Sequence, residues 1–124
     1  MTPTARTLRL LRQRGWSAEV VERHIPHTFI TRDLWGFADV LAMRALDTAD
    51  GFAPDIMCGV LAVQTTTGDN ASKRLKKMLA EPRLRTWLQA GGKVELHSWA
   101  MRGAAGRRKL WTCAVREVTL EDLS

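Results

Sequence analysis

Thr31-Arg-Asp-Leu-Trp-Gly-Phe-Ala-Asp39-Val-Leu-Ala-Met43 and, after a polar loop, Ile56-Met-Cys-Gly-Val-Leu-Ala-Val-Gln64-Thr-Thr-Thr67 read as neighbouring strands, and the fold follows from how they pair. Alternation over 33–44 puts Asp33, Trp35, Phe37, Asp39, Leu41 and Met43 on one face and Leu34, Gly36, Ala38, Val40 and Ala42 on the other. Both faces are largely apolar, which predicts a central strand covered on both sides. A second strand is expected over 56–66, with Val60, Ala62, Gln64 and Thr66 sharing a face. Pairing the two brings a carboxylate set in an apolar run, Asp39, to a carboxamide at the end of its neighbour, Gln64. An unpaired charge in such a run is costly, so Asp39 is expected to have a task. Asp33 either lines the cleft or simply begins its strand, and the second is the expectation.

Upstream, Thr2 and Pro3 are start signals for a helix over 3–14 that Gly15 stops. Ala5, Leu8 and Leu11 make its apolar stripe, and Arg6, Arg9 and Arg12 an outward basic strip. From Ser17 to Ile25 the period changes to two, predicting a strand that Pro26 ends. Downstream, 45–55 is a polar loop, and Gly68-Asp-Asn70 leads into a helix near 71–80 with Lys73, Lys76 and Lys77 on its outer side. Pro82 starts a short helix that Gly91-Gly92 stops. Strands at about 93–101 and 109–119 form a closing hairpin around the basic loop 102–109. The order α-β-β-β-α-α-β-β describes an α/β sandwich, a mixed central β-sheet flanked by helices.

A chain of 124 residues is one domain, 1–124. Its apolar content of 45% and charged content of 26% are ordinary for a soluble protein. No apolar run approaches the roughly 20 residues that span a bilayer, and the start lacks an apolar signal core. A cytoplasmic protein without a membrane partner is expected. Cys58 and Cys113 have no CxxC companion, so they are expected to be buried free thiols. The histidines lack ligand spacing. Trp87, Trp99, Trp35 and Trp111 are expected to be covered, leaving Trp16 as the aromatic for stacking on a base. The net charge of +6 is clustered at 6–14, 73–77 and 102–109, which favours a polyanion.

Gly36-Phe-Ala-Asp39-Val-Leu-Ala, Ala62-Val-Gln64-Thr-Thr66 and the order of elements from residue 3 to about 101 resemble the PD-(D/E)XK, or restriction-endonuclease-like, nucleases, and among them the small Holliday-junction-resolvase-like and phage-type members. That family's core is a helix, a three-strand meander, then a helix and another strand, so the resemblance implies a restriction-endonuclease-like three-layer sandwich. Asp39 matches the family's metal-binding aspartate, and Gln64 stands where its second acidic residue usually does. Thr66 stands where its lysine is expected, which departs from the motif, and Lys73 is the candidate to replace that cation. The resemblance implies a metal-dependent endonuclease, a hydrolase of DNA phosphodiester bonds on branched or single-stranded DNA, and a two-fold homodimer. RNA stays open as a substrate.

The ligand chemistry agrees. Mg²⁺ or Mn²⁺ takes oxygen donors, and Asp39, the Gln64 side-chain oxygen and the Thr65 carbonyl form such a set. Glu22 or Glu19 adds a carboxylate, depending on which face of the first strand meets the cleft; Glu22 is the preferred one. Arg6, Arg9, Lys73, Lys76, Lys77, Arg107 and Arg108 are the expected phosphate-backbone contacts. Two other readings stand beside the nuclease: an inactive DNA-binding or assembly subunit of the same fold, and a protein-interaction module whose charge is incidental.

Overall fold

Residues 1–46, 59–103 and 106–124 are described by the computed structural model. Most of the expected loop over 45–55, the expected strand start at 56–58 and Cys58 lie outside the described residues. Helix α1 spans Pro3–Gln13; the Thr2 hydroxyl accepts the Ala5 N–H at 3.1 Å, and the chain leaves through Gly15 at φ 88°. The strands are β1 (Ser17–Val20), β2 (Arg23–His24), β3 (Thr31–Arg32), β4 (Val40–Met43), β5 (Val60–Thr67), β6 (Lys93–Arg102) and β7 (Leu110–Val118). Helices α2 (Ala71–Leu79) and α3 (Pro82–Gln89) lie between β5 and β6.

Five strands form a mixed sheet in the order β1-β4-β5-β6-β7. β5 and β6 are parallel and every other neighbouring pair is antiparallel. Parallel neighbours need a long crossover, and α2 and α3 provide it. On one face Leu11 of α1 packs on Ala18, Val40, Ala42, Leu61 and Val63. On the other, Met78 and Leu84 from α2 and α3 pack with Phe37, Ala38, Ala62, Val94, Leu96 and Val118. The sheet is therefore covered on both sides, as the two apolar faces around Asp39 predict. No helix among the described residues is long and apolar enough to cross a membrane.

Two expected strands are each broken, and both breaks lie beside Asp39. The run Ser17–Ile25 is divided because Val21 N–H and Glu22 N–H both reach the Asp39 carbonyl, at 2.8 and 3.3 Å. Two residues opposite one is a bulge, which bends a strand and re-aims its side chains. The run 33–44 is divided by a tight turn at Trp35 and Gly36, with φ 54° and 78°, that closes a bridge between Leu34 and Ala38. Gly36 is required there twice: its φ is left-handed, and a Cβ would lie 2.6 Å from Glu81 Oε2. Strand periodicity in 33–39 was thus a coincidence of composition.

The aromatics also depart from expectation. Trp99 is buried and Trp87 half-buried, but Trp35 lies in the turn and Trp111 on the edge strand, and both are exposed. Trp16 carries the Arg44 guanidinium at 4.3 Å from its ring centre. Cys113 is half-buried rather than buried, and desolvation pushes its thiol up to about 11.

One polar chain runs through the interface of α1 and the sheet. Trp99 Nε1–H donates to Thr7 Oγ1 at 2.9 Å, and the Thr7 hydroxyl meets His97 Nδ1 at 3.2 Å. His97 Nε2 meets Glu95 Oε1 at 2.9 Å. Since a carboxylate only accepts, Nε2–H donates to Glu95, and in the neutral imidazole Nδ1 then accepts the Thr7 proton. Thr7→Val keeps the shape of Thr7 and strands both neighbours; it is expected to cost about 2 kcal/mol in urea unfolding and to lower the melting temperature by roughly 5–10 °C.

Candidate metal centre

Asp39 is 3% exposed and sits immediately before β4. Its N–H donates to the Val63 carbonyl at 2.9 Å, and its carbonyl accepts the two N–H groups of the bulge. Its Oδ2 accepts from Gln64 Nε2 at 2.6 Å, Thr65 N–H at 2.8 Å and Thr65 Oγ1–H at 3.0 Å. The expected meeting of Asp39 and Gln64 is therefore present. Thr65 enters through its N–H and hydroxyl, and that hydroxyl also meets Thr4 Oγ1 of α1 at 2.8 Å.

The carboxylate forms one wall of a cleft of about 310 Å³ at the end of the sheet. The start of α1 contributes Pro3 and Thr4, the bulge Glu22, the chain after β3 Asp33, the end of β5 Thr65, Thr66 and Thr67, and the start of α2 Asn70 and Arg74. Glu22, Asp33 and Asp39 each offer an oxygen, and the three oxygens lie within 4.8 Å of one another. The bulge decides between the two glutamates. Glu22 turns into the cleft, while Glu19 remains on the outer surface against Arg12 at 3.3 Å.

Asp33 lines the cleft, the lesser of its two expected places. The Trp35-Gly36 turn doubles the chain back so that Asp33 meets Asp39 as part of a cluster. Gly36, inside the interval from Asp33 to Asp39, was the sequence signal for that turn. Asp33 Oδ2 is buried and accepts no hydrogen bond; its nearest cation is Arg74 Nη1 at 3.9 Å. Gln64 Oε1 is likewise buried without a donor.

Arg74, not Lys73, is the cation at the carboxylates. Lys73 lines only the neighbouring depression, with Asn70, Lys77 and Arg74, which borders both. A helix turns about 100° per residue, so a single step along α2 exchanges one for the other. Thr66 is 5% exposed and lines the cleft at the expected position. Among the other expected phosphate contacts, Arg6 lies over the Trp111 ring at 4.1 Å. Arg9, Lys76, Lys77, Arg107 and Arg108 are exposed.

Burial pushes the Asp39 carboxyl up, to about 8, followed by its contact with Asp33 and the charge of Glu22; the Thr65 N–H acts the other way. Three carboxyl groups so close cannot all ionise cheaply. A hard divalent cation would relieve that conflict: it accepts oxygen ligands at about 2.0–2.6 Å, so ligands on opposite sides stand about 4–5 Å apart, a span compatible with oxygens within 4.8 Å of one another. No protein-family model, curated protein or solved structure matches the chain.

A carboxyl whose folded pKa is raised is protonated when folded and ionised when unfolded between the two values, so stability falls as pH rises through that window. Without metal, wild type is expected to lose stability from about pH 4 to about pH 8 relative to Asp39→Asn, whose amide keeps the Thr65 bonds. Melting curves in EDTA at pH 5 and 8.5 should show the gap in favour of the variant widening at the higher pH. Were the cluster to take Mn²⁺, wild type would gain several degrees above pH 8 and Asp39→Asn none.

Proposed function

We propose that the chain is a metal-dependent endonuclease that hydrolyses DNA phosphodiester bonds and is built on the restriction-endonuclease-like fold. The observation that carries this reading is the convergence of Glu22, Asp33 and Asp39 in one cleft, beside Arg74 and the hydroxyls of Thr66 and Thr67. The topology supports it as well. A helix, three antiparallel strands β1, β4 and β5, two crossover helices and a parallel β6 follow the core order of the family that residues 36–42 and 62–66 resemble.

Glu22, Asp33 and Asp39 would hold Mg²⁺ or Mn²⁺, and Gln64 keeps Asp39 in place through its amide N–H. Bound there, such a cation polarises the phosphoryl oxygen and makes water a nucleophile near neutral pH. The chain supplies the rest. Arg74 is only 34% exposed and is bound to Asp33 at the long distance of 3.9 Å, so its guanidinium is free to accept a phosphate in its fork. It would take the task of the lysine that Thr66 replaces. Lys73 and Lys77, one depression away, hold the strand by its backbone without reading sequence.

A second reading has its own observation. Thr66 carries no charge at the position where the family's lysine stands, and the charge of Arg74 is already answered in part by Asp33 at 3.9 Å. Both suit a subunit that binds DNA and no longer cuts it. Labelled branched, duplex and single-stranded DNA, incubated in Mg²⁺, Mn²⁺ or EDTA and resolved on a denaturing gel, separates the two. The nuclease cuts only with metal, loses cutting to background in Asp39→Asn and Asp33→Asn, and loses about 10²-fold in Arg74→Ala. Lys73→Ala should weaken binding and flatten its salt dependence with little change in the rate of the bound complex. Metal-indifferent binding with no product would sink the nuclease and favour the inactive subunit.

A further inference from the structure

Between Glu22 and Asp33, two of the cleft carboxylates, the chain leaves the sheet as a separate two-stranded hairpin of β2 and β3. Its tip is ordered. Ile25 C=O accepts Thr28 N–H at 3.2 Å and the Thr28 hydroxyl at 2.8 Å, while Ile30 N–H reaches Thr28 Oγ1 at 3.1 Å. Pro26 presets the first corner of this turn, and His27 at φ 63° takes the second. Yet Phe29 is fully exposed and Ile30 half exposed. A fixed loop that presents a phenyl ring to water has gained nothing from the hydrophobic effect within its own chain.

The stem adds a second conflict. Arg23 stands directly opposite Arg32 in the antiparallel register, and like charges in that position are destabilising. Neither makes an ion pair among the described residues. A polyanion that also offers an apolar slot answers both: phosphates between the arginines, and a gap between bases for the ring. Side chains such as Phe and Ile are the wedges that proteins drive between base steps.

We propose that the 23–32 hairpin is a wedge that enters DNA at a weakly stacked step, such as a branch point or mismatch, and so places the cleft beside it. The DNA partner rests on the nuclease reading above. Unstacking a well-paired step costs more than unstacking one already loosened, so the wedge selects distorted DNA with no base-specific contact. Phe29 is four residues from Asp33, at most about 13 Å of extended chain. The cut therefore falls within about four nucleotides of the distorted step.

Forked DNA with 2-aminopurine at the branch, and linear duplex of the same sequence, test this in EDTA, where nothing is cut. Wild type is expected to bind the fork about tenfold more tightly than the duplex and to brighten the probe. Phe29→Ala removes only an exposed ring; it should lose the brightening and the tenfold preference while its duplex affinity stays within about twofold. Equal behaviour of variant and wild type would overturn the wedge, as would an equal loss on fork and duplex. So would a concentration-dependent dimer that Phe29→Ala abolishes, since the tip would then meet a second copy. An intact Phe29-dependent fork preference with no cutting in any metal would leave the wedge standing and remove the nuclease; cutting that ignores Phe29 would do the reverse.

Discussion

Asp39 ties three strands together. Its carbonyl takes two N–H groups from the end of β1, its N–H goes to β5 through Val63, and its carboxylate takes three donors from Gln64 and Thr65. A carboxylate 3% exposed is tolerated only where such donors surround it. The sheet around it is otherwise apolar, with Val40, Ala62 and Val63 fully buried. The site is therefore not an addition to the fold but the place where β1, β4 and β5 are locked in register.

The donors and the neighbouring acids act on Asp39 in opposite directions. Thr65 favours the charged form, whereas burial, Asp33 and Glu22 favour the neutral one and prevail. A cation beside such a group would offset the repulsion from its acidic neighbours Asp33 and Glu22. Perturbed groups of this kind cluster where chemistry is done. The left-handed backbone at Trp35 belongs to the same economy: a non-glycine residue at φ 54° is unfavourable, and strain of that sort persists where the surroundings demand it. Here the demand is that Asp33 return to Asp39.

Basic side chains flank this acidic point. Arg74 lines the cleft, Lys73 and Lys77 line the next depression, and Arg23 and Arg32 stand on the hairpin that joins Glu22 to Asp33. Glu22 and Asp33 root the hairpin, so cleft and projecting tip share the same two residues at their boundary.

The sequence by itself determined the helices α1, α2 and α3, the closing hairpin of β6 and β7, the α/β class and the pairing of Asp39 with Gln64. Each of those rests on local chemistry: caps, prolines and glycines at helix ends, and an acid inside an apolar run. Tertiary structure decided the rest of the site. Alternation alone ran straight through Val21–Glu22 and Trp35–Gly36, because it records side-chain faces and carries no sign of the second N–H that the Asp39 carbonyl takes or of the bridge between Leu34 and Ala38. Those two breaks selected Glu22 over Glu19 and brought in Asp33. The choice of Arg74 over Lys73 depended on the rotation of α2 against the sheet, which the packing of Leu75, Met78 and Leu79 into the core sets, since one residue along a helix is about 100° of direction.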